Sequence, residues 1–375
     1  MTNKKLIHYP IRILHVVTTM NHGGLETMLM NYYRHIDHNL VQFDFLVHRD
    51  SESDYDQEIL SLGGRIYHLP RLNPFSIHYH KELDLFFKNH PEYQIVHVHQ
   101  DCMSSIALKA AYRNHVPVRI AHSHNANQDK NIKYLIKRYF MRSIPQYATH
   151  LFACGEEAGK WMFNGKNFIV LNNAIDTQHF VYDMNKRSLV RGKLGVTDDF
   201  IIGHVGRFNK QKNHDFLIDI FNEVHKIINN SKLLLVGTGN LKDRIRKRVT
   251  ELNLTDDVIF LGNRNDVNDL MQAMDIFVFP SHYEGLPVTL VEAQASGLPI
   301  IKSNYVPDQC IMTPNVYTLS LSDSSKEWAN EIIKMMKEYK RTDTSHYIIE
   351  NKYDVSANAK WLEKFYIGEV EKYGI

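Results

Sequence analysis

Asp275–Ile301 reads DIFVFPSHYEGLPVTLVEAQASGLPII. It begins as an apolar strand, Ile276 to Phe279, is stopped by Pro280, and turns through Ser281-His282-Tyr283-Glu284-Gly285. A helix is expected from near Leu286, with Pro287 in its first turn, where a missing N–H costs little. It should end at Ser296-Gly297, because glycine suits a left-handed helix end, and Pro299 opens the next short strand. Strand, turn, helix and strand make one unit of a parallel sheet, and the carboxyl edge of such a sheet is where open α/β folds bind ligands. The first N–H groups of a helix have no internal partner and suit phosphate, and Gly285 lets a backbone approach a ligand closely. Glu284 in the mouth of the turn, and Glu292 about two turns into the helix, can accept hydrogen bonds from sugar or ribose hydroxyls. Spacing alone favours an ordinary βα unit with two surface acids.

The same alternation extends outward in both directions. Strands are expected at Ile11–Val17, Phe43–Val47, Arg65–Leu69, Ile95–His99, Arg119–His124, His150–Ala153 and Phe168–Leu171, with amphipathic helices between most of them. A second series runs through Ile201–Val205, Leu233–Val236, Val258–Leu261, Ile276–Phe279 and Pro299–Ile301. This is the pattern of parallel sheets covered on both faces. The polar stretch from Asn173 to Asp199 is the natural connection between two α/β domains, and a cleft between them is the default ligand site. Ser356 to Val370 has helical apolar spacing through Ala357, Trp361, Phe365 and Ile367.

Composition narrows the class. With 375 residues, 43% of them hydrophobic, the chain is long enough for two cores. A formal charge of +2 is too balanced to imply nucleic acid. Three dispersed cysteines, Cys102, Cys154 and Cys310, read as buried thiols of a reducing compartment. The 22 histidines are scattered, with no HExxH, and imply no metal site. MTNKKLIHYPIRILHVV reads as an approach to a first strand rather than a signal peptide, and no stretch approaches the ~20 apolar residues of a membrane span.

Four further stretches could carry chemistry. Strand one leads into TTMNHGG, where Gly23 and Gly24 precede a helix; a glycine pair there is a weak phosphate signal beside a plain tight turn. RIAHSHN places His122 and His124 on one side of a strand end. IIGHVGRFNKQKNHDF sets Arg207 and Lys212 before a helix, a planar fork and a point charge suited to an anion, with Gly206 allowing close approach. LLLVGTGNL carries Gly237 and Gly239 but lacks the third glycine of a dinucleotide fingerprint.

EGLPVTLVE followed by AQASGLP, GRFNKQKN, and LNNAID at the end of the first half together resemble the retaining glycosyltransferases of family four, and the wording of the first half resembles their capsule and exopolysaccharide subgroup. The resemblance implies the GT-B architecture, an α/β class with two Rossmann-like domains whose parallel sheets face a cleft. Here these would be residues 1–185 for the acceptor and 186–355 for the nucleotide sugar, with the tail helix, 356–375, returning to the first. It implies that Arg207 and Lys212 hold the donor diphosphate, Glu284 the donor sugar and Glu292 the ribose. It also places one histidine of RIAHSHN near the sugar, where His124 is favoured over His122 as the last residue of the strand, and Gly23, Gly24, Gly206, Gly237, Gly239, Asn263, Arg264, Gly285 and Leu286 around the donor. The family's N-N-G-I-D has Ala174 in place of glycine here, so this turn is expected to need no positive φ.

The expected activity is transfer of a sugar from a UDP-sugar to a polyprenyl-diphosphate-linked oligosaccharide, with retention, no cofactor and no divalent metal. Asp54-Tyr55-Asp56 is a DxD, the metal signature of the other major glycosyltransferase architecture, but it sits in a polar loop capping a helix. A UDP-sugar 2-epimerase, a non-catalytic nucleotide-sugar-binding partner and an NAD oxidoreductase are the competing readings. The stretch from Lys130 to Ser143 reads as a basic amphipathic helix, either core-packed with a solvated face or resting on an anionic bilayer through Lys130, Lys133, Lys137, Arg138 and Arg142. The expected location is the cytoplasm, with possible peripheral contact at the inner face of the membrane.

Overall fold

The computed structural model describes residues 10–125 and 132–374, the side chains of 132–134 excepted. The chain forms two compact units, one of residues 1–174 and 355–375, the other of residues 175–354. The crossing at Ala174–Ile175 lies ahead of the 185/186 boundary expected from polarity. The reason is packing: the Met184–Leu194 helix lies against the Val267–Ala273 helix of the second unit. Arg187 and Arg191 reach Asp275 at 2.5 and 3.2 Å, anchoring the polar stretch instead of leaving it a tether.

The first unit holds β1 (Ile11–Val16), β2 (Val41–Val47), β3 (Ile66–His68), β4 (Ile95–Val98), β5 (Val118–Ser123), β6 (His150–Ala153) and β7 (Ile169–Val170). The second holds β8 (Phe200–Val205), β9 (Ser231–Val236), β10 (Val258–Gly262), β11 (Ile276–Phe279), β12 (Ile300–Ser303) and β13 (Val316–Leu319). Their orders are β3-β2-β1-β4-β5-β6-β7 and β10-β9-β8-β11-β12-β13. Every paired strand runs parallel. Each sheet is buried on both faces by separate apolar clusters, which is why its strands read as near-continuous apolar runs. The order reverses between β1 and β4 and between β8 and β11, so each unit has a crevice beyond the carboxyl ends of those two strands.

Three local expectations are corrected. β13 is a short, half-exposed edge strand whose VYTL carries too little apolar signal to be read alone. The Val355–Tyr373 helix belongs to the first unit, but it buries Val355, Ala359, Leu362, Tyr366 and Val370; Trp361, from the stripe expected inside, is 43% exposed. Its seat is decided by Tyr366, whose hydroxyl reaches His97 Nδ1 at 2.8 Å and whose ring meets Phe43 edge-on. The basic helix runs Ile132–Tyr147 through Pro145 and packs by Phe140, Met141 and Ile144, leaving Leu135 and Tyr139 outside. At the LNNAID turn, Ala174 is fully buried and has no positive φ.

Candidate functional site

In the second unit the site grows from the two loops that leave β8 and β11, neighbours at the switch point. The first loop carries Gly206, Arg207 and Lys212 to the His214–His225 helix, whose N-cap, Asn213, sits in the left-handed region at φ 55°. The second runs from Pro280 to Pro287. Polar bonds lace the two together. His282 N–H donates to the Gln211 carbonyl at 2.8 Å, and Gln211 Nε2 donates to the Tyr283 carbonyl at 3.0 Å. Asn213 Nδ2 donates to the Pro280 carbonyl at 3.1 Å. Ser303 Oγ, at the end of β12, donates to the Ser281 carbonyl at 2.5 Å.

The centre of this lacing is an ion pair. Lys212 Nζ lies 2.8 Å from Glu284 Oε1, with the side chains 14% and 7% exposed. Gln211 Nε2 donates to the other carboxylate oxygen at 3.1 Å, and Lys212 Nζ sits 4.4 Å from the Phe279 ring centroid. Arg207 is exposed and makes no ion pair or side-chain hydrogen bond among the described residues. An anion arriving here meets one uncommitted guanidinium and one ammonium already paired within a low-dielectric pocket. Lys212 and Glu284 were expected on separate parts of the donor; the structure brings them into contact. Gln211, which bonds Glu284, was not singled out from sequence, although it lies in the same QKN run.

Two glycines assigned to the nucleotide have a reason within the chain. A Cβ on Gly237, which has φ +137°, would fall 2.2 Å from the Gly206 carbonyl oxygen. One on Gly239 would fall 2.5 Å from the Phe208 carbonyl oxygen. The turn after β9 therefore presses on the cation-bearing loop, held by Phe208 N–H to the Thr238 carbonyl at 2.9 Å. Gly285 stands in open space, with nothing within 4 Å of an added Cβ. Leu286 packs on the apolar cluster of the unit. Asn263 and Arg264 are exposed, and Arg264 Nε lies 2.7 Å from Asp266.

The helix carrying Glu292 is Val288–Ala295, with Pro287 as its cap and no side-chain cap. It starts two residues later than expected, because Pro287 stands outside it as the cap, with an extended backbone at φ −76° and ψ 107°. Glu292 is thus about one turn in, not two. Burial pushes its carboxyl up to about 7 from a usual value near 4.5. The folded protein therefore holds more protons than the unfolded chain between those values, so this group's contribution to stability falls as pH rises from about 4.5 through about 7. Glu292→Gln removes that loss. Its Tm should exceed that of the parent at pH 8, with the difference closing towards pH 4.5; thermal melts across that range check this, and a pH-independent difference would refute it.

In the first unit, Gly23 caps the Gly24–His35 helix, and a Cβ on it would strike the Glu26 carboxylate at 2.3 Å; Gly24 is unobstructed. His124 follows the last residue of β5, and its ring lies 4.1 Å from that of His122, so both share one side. Its Nε2 meets His99 Nδ1 at 2.9 Å. Asp101, at φ 45°, accepts from the His124 N–H at 3.3 Å and from Asn125 Nδ2 at 2.5 Å. His99 and Asp101 were not singled out from sequence, although VHVH before a turn repeats the period-two pattern of AHSH. Five of the 22 histidines are not scattered: His15, His97 and His99, and His99, His122 and His124, each bring ring nitrogens within 4.8 Å of one another, which the sequence spacing did not show. In the DxD, Asp56 is the first residue of the Asp56–Ser61 helix, which has Tyr55 as its cap and no side-chain cap bond, contrary to expectation; Asp56 accepts from the Ser53 N–H at 2.8 Å and Asp54 from the His22 N–H at 2.9 Å.

Comparison with known proteins gives a consistent result. Residues 185–355 match the family model described as glycosyl transferases group 1, and residues 22–179 match glycosyltransferase family 4. The chain is 37% identical over 376 residues to the putative glycosyltransferase EpsF of Bacillus subtilis, covering 96% of this chain and 97% of that one. It is 27% identical to a UDP-Gal:α-D-GlcNAc-diphosphoundecaprenol α-1,3-galactosyltransferase of Escherichia coli, covering 82% and 83%. Its structure resembles that of Anabaena Alr3699/HepE solved in complex with UDP, with TM-score 0.79, 18% identity, and 95% and 100% of the two chains covered.

Proposed function

The chain belongs to the family 4 glycosyltransferases, with the two Rossmann-like halves of the GT-B architecture, and on that premise we propose that it transfers a sugar from a UDP-sugar to a lipid-linked oligosaccharide, retaining the anomeric configuration, in capsule or exopolysaccharide synthesis. The observation that carries the reading is the Lys212–Glu284 pair beside the uncommitted Arg207 at the β8/β11 switch point. Arg207 and Lys212 take the diphosphate, whose charge grows as the glycosidic C1–O bond breaks, and fixed cations stabilise that growth. Glu284 accepts hydrogen bonds from the sugar hydroxyls. Glu292, held near neutrality by burial, accepts from the ribose. The acceptor hydroxyl oxygen forms the new bond to C1 and its proton passes to the departing phosphate oxygen, so the step needs no covalent enzyme intermediate. UDP and a diphospholipid acceptor are supported by what the Anabaena and Escherichia coli relatives are said to bind and use.

The test is UDP release from a panel of UDP-sugars, with and without polyprenyl-diphosphate oligosaccharides, metal added or chelated. Acceptor-dependent release from one donor, unaffected by chelation, with an α-linked product from an α-donor, is the expected result. Interconversion of the UDP-sugar without acceptor would replace this reading by the epimerase one.

The proposal extends to a lipid surface. Leu135, Arg138, Tyr139 and Arg142 recur at helical spacing along one face of the Ile132–Tyr147 helix, and all four are exposed. Leu135 and Tyr139 are 70% and 72% exposed, and Phe75, near Phe140 of the same helix, is 71% exposed. Apolar and cationic groups on one face complement an anionic bilayer. Lys137 is half-buried and acts electrostatically on Asp101, so it is set apart from this face. Lys130 and the side chain of Lys133 lie outside the described residues. Among the described residues no helix is long and apolar enough to cross a membrane. The chain should sediment with phosphatidylglycerol vesicles and not with phosphatidylcholine ones, and a Leu135→Glu/Tyr139→Glu variant should lose about tenfold in vesicle affinity. Equal sedimentation of the two proteins would remove this surface from the account.

A further inference from the structure

A cavity of about 660 Å³ lies at the amino edge of the first sheet, between the last turns of the Ile132–Tyr147 helix and the starts of β6 and β7. Its volume is within the range of small-molecule sites. It stands apart from the carboxyl edge of the same sheet, where β5 delivers His124. Its floor is apolar, with carbon surface from Ala148, Leu151, Phe168 and Ile169. The polar groups of the floor are already engaged. Thr149 Oγ1 accepts the Arg119 N–H at 2.9 Å and lies 3.1 Å from the Arg119 carbonyl and 3.0 Å from His150 Nδ1. His150 Nε2 lies 3.5 Å from Glu369, and burial lowers the pKa of the ring, which is therefore neutral at pH 7. The rim carries the charge. Arg142 and Lys166 are exposed, and neither they nor Gln146 and Asn167 make a side-chain hydrogen bond or ion pair among the described residues. No carboxylate is among the described residues that line the cavity.

We propose that this cavity seats the headgroup of one anionic phospholipid, its phosphate held by Arg142 and Lys166 and the adjoining parts of its chains lying on Ala148, Leu151 and Phe168. An apolar floor under a cationic rim matches a molecule that is apolar at one end and anionic at the other. Position selects a lipid over a free phosphate. Leu135, Arg138, Tyr139, Arg142, Pro145 and Gln146 follow one another at steps of three, one, three, three and one, a single stripe along the helix. The first four are the exposed face that the lipid-surface reading lays on a bilayer, and the last three line the cavity. Arg142 belongs to both. The cavity is therefore where that face ends, and a lipid drawn from the bilayer enters it without leaving the interface. The proposal rests on the lipid-surface reading and adds to it a discrete site with a stoichiometry. Lys166, in the loop before β7, is its contribution from outside the helix.

The test is a calorimetric titration of the full chain with dihexanoyl-phosphatidylglycerol below its micelle concentration. Saturable binding of one molecule per chain is the expected result. Lys166 is exposed, so Lys166→Glu should melt within about 2 °C of wild type. It should bind this lipid about tenfold or more weakly, because an attraction becomes a repulsion. Leu135→Glu/Tyr139→Glu should bind it within about threefold of wild type, the added charges being screened, while losing the vesicles. Dihexanoyl-phosphatidylcholine and inorganic phosphate should each bind about tenfold or more weakly than the glycerol lipid. No saturable binding, or equal binding by Lys166→Glu, would overturn the proposal. Equal binding of inorganic phosphate would overturn it in favour of a plain anion site, and equal binding of the choline lipid in favour of an apolar pocket without charge recognition. Vesicle sedimentation without titration by the short-chain lipid keeps the flat face and refutes the cavity, whereas loss of both removes the lipid surface itself, so the two failures are distinguishable.

Discussion

Lys212→Ala is expected to lower kcat for sugar transfer by about 10²–10³-fold, the range for removing one fixed donor from a developing anion. The effect comes from two sources acting in the same direction. The ammonium that would meet the leaving diphosphate is gone, and Glu284, 7% exposed and paired with it at 2.8 Å, is left as an unpaired carboxylate in the same pocket. Breaking one side of a buried pair costs more than replacing both sides, so the double variant Lys212→Ala/Glu284→Gln should recover Tm while kcat stays low. Thermal melts and steady-state UDP release on the single and double variants separate the two sources. If Lys212→Ala keeps kcat within about threefold, the cation does not stabilise the transition state and the site has been assigned to the wrong loop.

Gly237→Ala is expected to lower Tm by roughly 5–15 °C, from about 2–5 kcal/mol of combined backbone strain and overpacking. An added Cβ would fall 2.2 Å from the Gly206 carbonyl oxygen at a φ of +137°, and neither atom is the movable end of a side chain. The loop that must give way is the one bearing Arg207 and Lys212, so donor KM should rise along with the loss of stability. Gly285→Ala is the control. Its Cβ meets nothing within 4 Å, and its Tm should stay within about 2 °C of wild type. Equal melting of the two variants would mean that the turn after β9 does not support the cation-bearing loop. Resemblance assigned both glycines to the donor; the structure separates one that the chain itself requires from one that leaves room.

The strands were readable because parallel strands buried on both faces are apolar runs with little ambiguity, as in FIIGHV at β8 and IFVF at β11. β13 was not, because an edge strand with half its residues exposed looks like the loops beside it. The tail helix was readable as a helix, but its buried face was not. Trp361 and Phe365 outweigh Leu362 and Tyr366 in any apolar count, while the seat is set by the complementarity of Tyr366 to His97 and Phe43. Arg207 and Lys212 stood out as two cations in a loop before a helix, whereas Glu284 and Glu292, which spacing alone leaves as surface acids, and His124 stood out through the resemblance to the family.

Taken alone, the amino-acid sequence determined the α/β class, the two series of strands, and which side chains stand at strand ends, because periodicity and turn chemistry are local properties of the chain. Tertiary structure decided which strand ends meet. Lys212 and Glu284, 72 residues apart, touch because β8 and β11 are neighbours at the switch point. His15 and His99, 84 apart, bond because β1 and β4 are neighbours in the first sheet. Strand order follows from how the crossover helices pack on both faces, and no local pattern encodes that.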